Sequence, residues 1–379
     1  MKFKIDKDKF LDAISIVWRS VWSNVTMPIL ENIYLKSDGE KIFFMATDLD
    51  LEISYFVEWV EIEEEWEITV PAKLLQSYLN LLKSWIVEFQ TKDEDILLKS
   101  KSWRTKIKWL NSKDFPKSPT LKTENNFSIK SKKLKSAIAE VVFSVSASMS
   151  RPFLTWINFN IKWSDLTMMS TDSYRFTQKK VKLDTELSKD VSIILPAKTS
   201  QEVSKLISDW WNIWWEGFDV NISFSEDQIL FEIWNIKLSS RLISWKFPDC
   251  TMLIPKTKKL TAVVQRQDFA QLVKRVNIFA KENNNNLKII FSEEDQEIEI
   301  DTKDTQIWSD ESRIEASIKW DSEDKDSFQI ALNSEFLIAI FWVIKSDEVV
   351  IELNWEYSPV LFKDPNKDDF LHIIMPLRV

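Results

Sequence analysis

Two hydrophobic spacings alternate along the chain. Short runs with every second residue apolar predict strands of antiparallel sheet with one face buried. They are Ile33 to Leu35, Ile42 to Met45, Leu51 to Phe56, Val220 to Phe224, Ile229 to Ile233, Ile289 to Phe291 and Ile298 to Ile300. Longer runs, apolar every three or four residues, predict amphipathic helices. Three times a strand-like stretch leads straight into such a helix. Phe3-Lys4-Ile5 precedes Lys7 to Val17, Phe127-Ser128-Ile129 precedes Ser131 to Phe143, and Leu260 to Val264 precedes Arg266 to Ala280. A second helix follows Pro71-Ala72-Lys73 and another follows Pro196-Ala197-Lys198. In the third copy Ile330-Ala331-Leu332-Asn333 leads into Ser334 to Ile344.

These openings are signs of an internal repeat. Thr69-Val70-Pro71-Ala72-Lys73 recurs as Ile194-Leu195-Pro196-Ala197-Lys198, 125 residues on, and Ala46-Thr47-Asp48-Leu49 recurs as Ser170-Thr171-Asp172-Ser173, 124 residues on. Ordered matches at nearly one offset point to duplication. The expected domains are 1–122, 123–252 and 253–379. Polar, aperiodic stretches at Leu121 to Asn126 and Ile254 to Lys259 link them. Each is two helices packed on antiparallel sheet, an α+β class. A length of 379 residues suits two or three domains.

Composition changes the picture in one respect. The chain has 19 Trp and 2 Gly, whereas average usage would give about 26 Gly at this length. The tryptophans stand where turns are expected: Lys162-Trp163-Ser164-Asp165, Ile233-Trp234-Asn235, Lys319-Trp320-Asp321-Ser322 and Asn354-Trp355-Glu356. The run from Asp209 to Gly217 holds four of them. Tight turns need positive φ, which Gly supplies and Trp does not. Most of these Trp therefore read as glycines in the cell, written as Trp by decoding UGA, a codon some bacterial lineages read as glycine.

Charge and chemistry narrow the function classes. Net charge is -9, which argues against a generally basic nucleic-acid binder but leaves room for one basic surface. No apolar run approaches the roughly 18 residues of a membrane span, and Met1 to Asp6 reads as an amphipathic strand, not a signal peptide. The lone Cys250 forms no internal disulfide, so a cytoplasmic location is expected. With one His (His372) and one Cys, a His/Cys metal cluster is excluded, and no phosphate loop is present even with Trp read as Gly. Acidic runs at Glu61 to Glu67 and Asp321 to Asp326 read as solvated turns. No cofactor and no enzymatic activity are expected. The competing readings are an adhesive repeat protein and a hydrolase using paired carboxylates.

Several motifs then occur in order along the whole chain: Met27-Pro28-Ile29-Leu30, Lys113-Asp114-Phe115-Pro116, Arg151 to Trp156, Thr171-Asp172-Ser173-Tyr174-Arg175-Phe176, Leu242 to Asp249, and the ending Ile373 to Val379. Together they resemble the bacterial sliding clamp, the DNA polymerase III β subunit family. Trp103, Trp156, Trp234 and Trp245 stand where that family usually has Gly.

The resemblance implies three tandem DNA-clamp domains forming half of a six-domain ring. Two chains join head to tail, with domain one against domain three of the neighbour, helices line the hole and sheets form the outside. Such a homodimer holds duplex DNA without reading sequence, through phosphate attraction. Candidate DNA-contacting residues are Arg19, Lys73, Lys83, Lys132, Lys133, Lys135, Lys198, Lys205, Arg266, Lys274, Arg275 and Lys281 on or near the helices, with Arg151 and Phe153 in a loop. Pro152 departs from the aromatic residue often found in that loop. The resemblance also implies a pocket between domains two and three that captures apolar peptides of partners: the replicative polymerase, the clamp loader and other clamp-binding proteins. Its wall would be Leu154, Thr171, Ser173, Tyr174, Arg175, Phe176, Pro248, Leu253, Ile373 and Met375. Ser173 replaces the family's usual Gly.

Overall fold

The computed structural model describes residues 1–21, 27–83, 85–100, 103–117, 125–148, 150–209, 217–301, 311–321 and 328–378. The Trp-rich run 210–215 lies outside the described residues, as does Asp326 of the second acidic run.

Six α-helices occur among the described residues: α1 (Lys7–Val17), α2 (Ala72–Leu81), α3 (Ser131–Val142), α4 (Ala197–Asp209), α5 (Arg266–Ala280) and α6 (Ser334–Val343). They fall where the 3.6-residue spacing places them. Asp6 caps α1 by accepting from the amides of Asp8 and Lys9 at 3.0 and 3.1 Å. Asn333, which stands where Pro71 and Pro196 stand in the first two repeats, caps α6 through the amides of Glu335 and Phe336.

The chain forms two compact units, residues 1–134 with 201–244, and residues 135–200 with 245–379. In the first unit a five-stranded sheet runs Glu61–Glu64, Lys2–Asp6, Ile86–Lys92, Asp95–Ser100, Trp103–Lys108. Above it Phe3 stacks on Phe89 at 4.6 Å, and Phe10 of α1 meets both edge-on. An eight-stranded sheet runs Asn125–Lys130, Asp219–Phe224, Gln228–Ile233, Ile236–Arg241, Leu51–Val57, Lys41–Thr47, Asn32–Asp38, Glu67–Pro71. In the second unit one sheet holds twelve strands, in the order Val191–Pro196, Trp156–Lys162, Asp165–Thr171, Arg175–Lys182, Phe370–Ile374, Val360–Lys363, Glu348–Leu353, Leu260–Gln265, Glu311–Trp320, Glu297–Asp301, Asn286–Ser292, Phe328–Asn333.

Both large sheets cross the repeat boundaries. Leu51–Val57 pairs antiparallel with Ile236–Arg241, joining first-repeat to second-repeat strands. Arg175–Lys182 pairs likewise with Phe370–Ile374, joining second-repeat to third-repeat strands. Continuous strand pairing is why the compact units divide the second repeat rather than follow its ends.

The turn tryptophans sort into two groups. Trp59, Trp163 and Trp234 have φ of 60°, 58° and 55° and are exposed. Trp320, expected in a turn, instead ends the strand Glu311–Trp320 and packs against the core beside Phe328, 6.2 Å between rings. Trp103 begins a strand and meets Tyr78 edge-on at 5.5 Å.

Candidate functional site

The turn Thr171 to Arg175 is built from its own side chains. The Thr171 hydroxyl donates to the Arg175 carbonyl at 2.7 Å and accepts from the Ser173 amide at 3.1 Å. The Asp172 carboxylate accepts from the amides of Tyr174 and Arg175, both at 3.0 Å. This bonding holds Ser173 at φ 79°, a left-handed conformation that glycine adopts more readily than serine. Tyr174 is exposed at the tip, and its carbonyl accepts from the Met375 amide at 2.8 Å. Turn and C-terminal segment are thus tied together.

Below the turn lies an apolar floor. Phe176 pairs in register with Ile373. Both are fully buried and cluster with Met169, Cys250 and Leu361, flanked by Phe247, Leu253, Ile254 and Leu371. Burial and the neighbouring Asp249 charge push the Cys250 thiol up to about 11, so it is an inert apolar filler. Pro248 is exposed beside this cluster, and its carbonyl accepts from the Cys250 amide at 2.9 Å.

Of the ten expected wall residues, the structure brings Phe176, Leu253 and Ile373 into one cluster. Thr171, Ser173, Tyr174 and Met375 form its hydrogen-bonded rim. Arg175 behaves differently: its side chain is held by Asp172 at 2.8 Å and lies over Phe336 of α6 at 4.5 Å and Phe143 at 5.6 Å. It braces the rim rather than offering a free charge. Leu154 is buried outside the cluster, closing the short 3-10 turn Pro152–Leu154. Sequence reading missed Met169, Cys250 and Leu361 as floor residues. Their signal lay in strand register, which the one-dimensional pattern does not contain.

His372 lies behind this floor. It is fully buried, packed on Phe143 and Phe362, with Nδ1 at 2.7 Å from the Thr177 hydroxyl. Burial, reinforced by nearby Arg175, holds its pKa well below the usual value. It is a neutral core residue.

Most candidate cations are exposed on helices. Lys73 of α2, Lys133 of α3, Lys198 and Lys205 of α4, and Lys274 and Arg275 of α5 are exposed, as are Lys83 and Lys281 just beyond α2 and α5. Lys132 and Lys135 of α3 are half-buried. Arg151 and Phe153 are exposed around the Pro152–Leu154 turn. Several already have partners: Arg275 donates to the Ser312 hydroxyl at 2.8 Å, and Lys274 lies 4.6 Å over the Trp342 ring. Buried Glu202 pairs with Arg19 at 3.5 Å and Lys205 at 2.7 Å, and Arg266 donates to the carbonyls of Ser346 and Phe341. Among the described residues no group of three or more His, Cys, Asp or Glu could hold a metal ion.

Family models for the DNA polymerase III β subunit match the chain end to end: N-terminal domain at 1–119, central domain at 128–249 and C-terminal domain at 251–378. The chain belongs to the bacterial sliding clamp family. The Beta sliding clamp of Bacillus subtilis (strain 168) is 27% identical, covering 100% of both chains. That of Staphylococcus epidermidis is 26% identical, covering 100% of this chain and 99% of the relative. The crystal structure of the Bacillus subtilis clamp superposes with a TM-score of 0.93 at 27% identity, covering 100% of this chain and 99% of that one. A clamp from Bartonella birtlesii bound to griselimycin gives 0.93 at 27% identity, with 100% of both chains covered. The chain is therefore three tandem clamp domains of mixed helix and antiparallel sheet, and membership places it in DNA replication as a DNA-binding processivity factor.

Proposed function

We propose that two copies of this chain close head to tail into a six-domain ring around duplex DNA and tether the replicative polymerase without catalysing any reaction. The observation that carries this reading is the match of three successive clamp domains over the whole chain. The modules run 1–122, 123–252 and 253–379. Exposed Lys73, Lys83, Lys133, Lys198, Lys274, Arg275 and Lys281 supply phosphate attraction that is independent of sequence and permits sliding. Lys132, Lys135, Arg151 and Phe153 add to it, and Arg19 and Lys205 act from their pairs with Glu202.

The apolar floor of Phe176, Leu253 and Ile373, rimmed by Thr171, Ser173, Tyr174, Pro248 and Met375, takes a short apolar peptide of the polymerase, clamp loader or another partner. Arg175 shapes this site from behind, and buried Leu154 supports the loop beside it. The setting is the cytoplasm. No described helix is long and apolar enough to cross a membrane.

Retention on nicked circular DNA tests the ring. Protein loaded on circles should stay bound through gel filtration and be lost after a single cut linearises the DNA. Equal loss from both forms overturns the topological mechanism.

A further inference from the structure

The fold builds the pocket frame twice. The turn Thr47 to Leu51 reproduces the bonds that Thr171 and Asp172 make to backbone groups in the turn Thr171 to Arg175. The Thr47 hydroxyl donates to the Leu51 carbonyl at 3.0 Å and accepts from the Leu49 amide at 3.0 Å. Asp48 accepts from the amides of Asp50 and Leu51 at 3.1 and 2.7 Å. Leu49 sits at φ 78°, against 79° for Ser173. The Arg241 amide donates to the Asp50 carbonyl at 2.9 Å, as Met375 does to Tyr174. Glu52 pairs with Ser239 where Phe176 pairs with Ile373.

A cavity of about 120 Å³ opens at this repeated position, lined among others by Glu52, Lys117, Gln228, Ser239 and Arg241. Three apolar positions have turned polar: Phe176 corresponds to Glu52, Ile373 to Ser239 and the rim residue Met375 to Arg241, while Met169 and Leu361 keep apolar counterparts in Met45 and Leu230. The volume is well under the roughly 300 Å³ at which small-molecule and cofactor pockets begin. It admits side-chain ends of a segment lying across the surface. Its walls carry both signs, Asp50 and Glu52 against Lys117 and Arg241.

We propose that the junction of the first and second modules is a second docking site, for an extended peptide segment carrying both an acidic and a basic side chain. The inference rests on the reading of the apolar junction as a peptide site. Like charges across such a contact are strongly rejected, so the charge pattern selects the segment.

The test uses two labelled hexapeptides, one of alternating lysine and glutamate and one of leucine and phenylalanine, measured by fluorescence anisotropy on the full-length dimer. The mixed-charge probe should bind saturably and weaken at least tenfold with Glu52→Lys or Arg241→Glu. It should recover in the double charge swap and be indifferent to Ile373→Glu. The apolar probe should show the opposite dependence. No saturable mixed-charge binding, or binding unmoved by either single substitution, overturns the second site. Loss of apolar binding alone would instead count against the first-site reading.

A separate observation carries a second inference. Trp163 and Trp234 each take the first place of a two-residue hairpin loop, between Lys162 and Asp165 and between Ile233 and Ile236. Both have positive φ, as such loops require. The equivalent hairpin of the first repeat, between Asp38 and Lys41, has Gly39 at φ 61°, 124 residues before Trp163 at φ 58°. We infer that the natural chain carries glycine at 59, 163 and 234. Peptide mass spectrometry of protein purified from its own cells should return glycine masses there, and tryptophan masses overturn the inference. Trp163→Gly in protein made from a gene carrying UGG at every Trp position should also raise the denaturation midpoint. A fall would count equally against it.

Discussion

The two junctions use one backbone and opposite chemistry. At the second-to-third junction the outer face of the strand pair is apolar, Phe176 and Ile373, and the inner face is polar, Thr177 with His372. At the first-to-second junction the outer face is polar, Glu52 with Ser239, and the inner face is apolar, Ile53 with Leu238. Alternation along a strand sends successive side chains to opposite faces. A few substitutions on a duplicated frame therefore suffice to convert an apolar pocket into a charged one. The backbone fixes where a cavity lies, and the side chains decide what enters it.

The widest gap between the junctions should appear on truncation. Phe176→Ala removes a fully buried ring and should destabilise the chain by about 3–5 kcal/mol in urea denaturation, while Glu52→Ala should cost less than about 1 kcal/mol. Equal costs would erase the contrast. Next comes reactivity. With its thiol raised from an ordinary 9.0 to about 11, Cys250 should be alkylated about a hundredfold more slowly than a free cysteine at pH 8. A saturating apolar peptide should slow it further, and the mixed-charge peptide should not.

Acid supplies a third contrast. His372 has a folded pKa below its unfolded value of about 6.5. Below that pH the unfolded chain binds the extra proton, so stability is full above it and falls beneath it, by at most about 1.4 kcal/mol per pH unit. Denaturation at successive pH values should show this slope, flattened in His372→Gln. Leu238 occupies the same register position at the other junction and cannot titrate. The smallest effect concerns DNA. Lys198→Ala should reduce the slope of log affinity against log salt by about 0.9, as for one lost phosphate contact, whereas Arg241→Ala should leave it unchanged.

Sequence spacing located the elements well. The expected bounds of α1 and α5 coincide with those observed, and each expected strand lies inside an observed one. Local periodicity and caps determine these. What the sequence concealed was pairing between residues far apart, such as Leu51 with Ser240 and Arg175 with Ile374. That pairing sets the pocket floors and the extent of the sheets. Arg175 was legible as a motif residue, but its stacking on Phe336 depends on a helix that follows more than 150 residues later. The polar junction was missed although its clue, Thr47-Asp48 repeating as Thr171-Asp172, was in plain view. Side chains there differ too much for a match by composition.

Strand ladders that run through the repeat boundaries also bear on how the chain can be divided. A fragment ending at residue 122 would strip Leu51–Val57 of its neighbour Ile236–Arg241, and one ending at 252 would strip Arg175–Lys182 of Phe370–Ile374. Each cut leaves a row of bare amides and carbonyls, the kind of raw margin that recruits strangers and precipitates. The modules are alike, but their sharing of sheets leaves none of them self-sufficient.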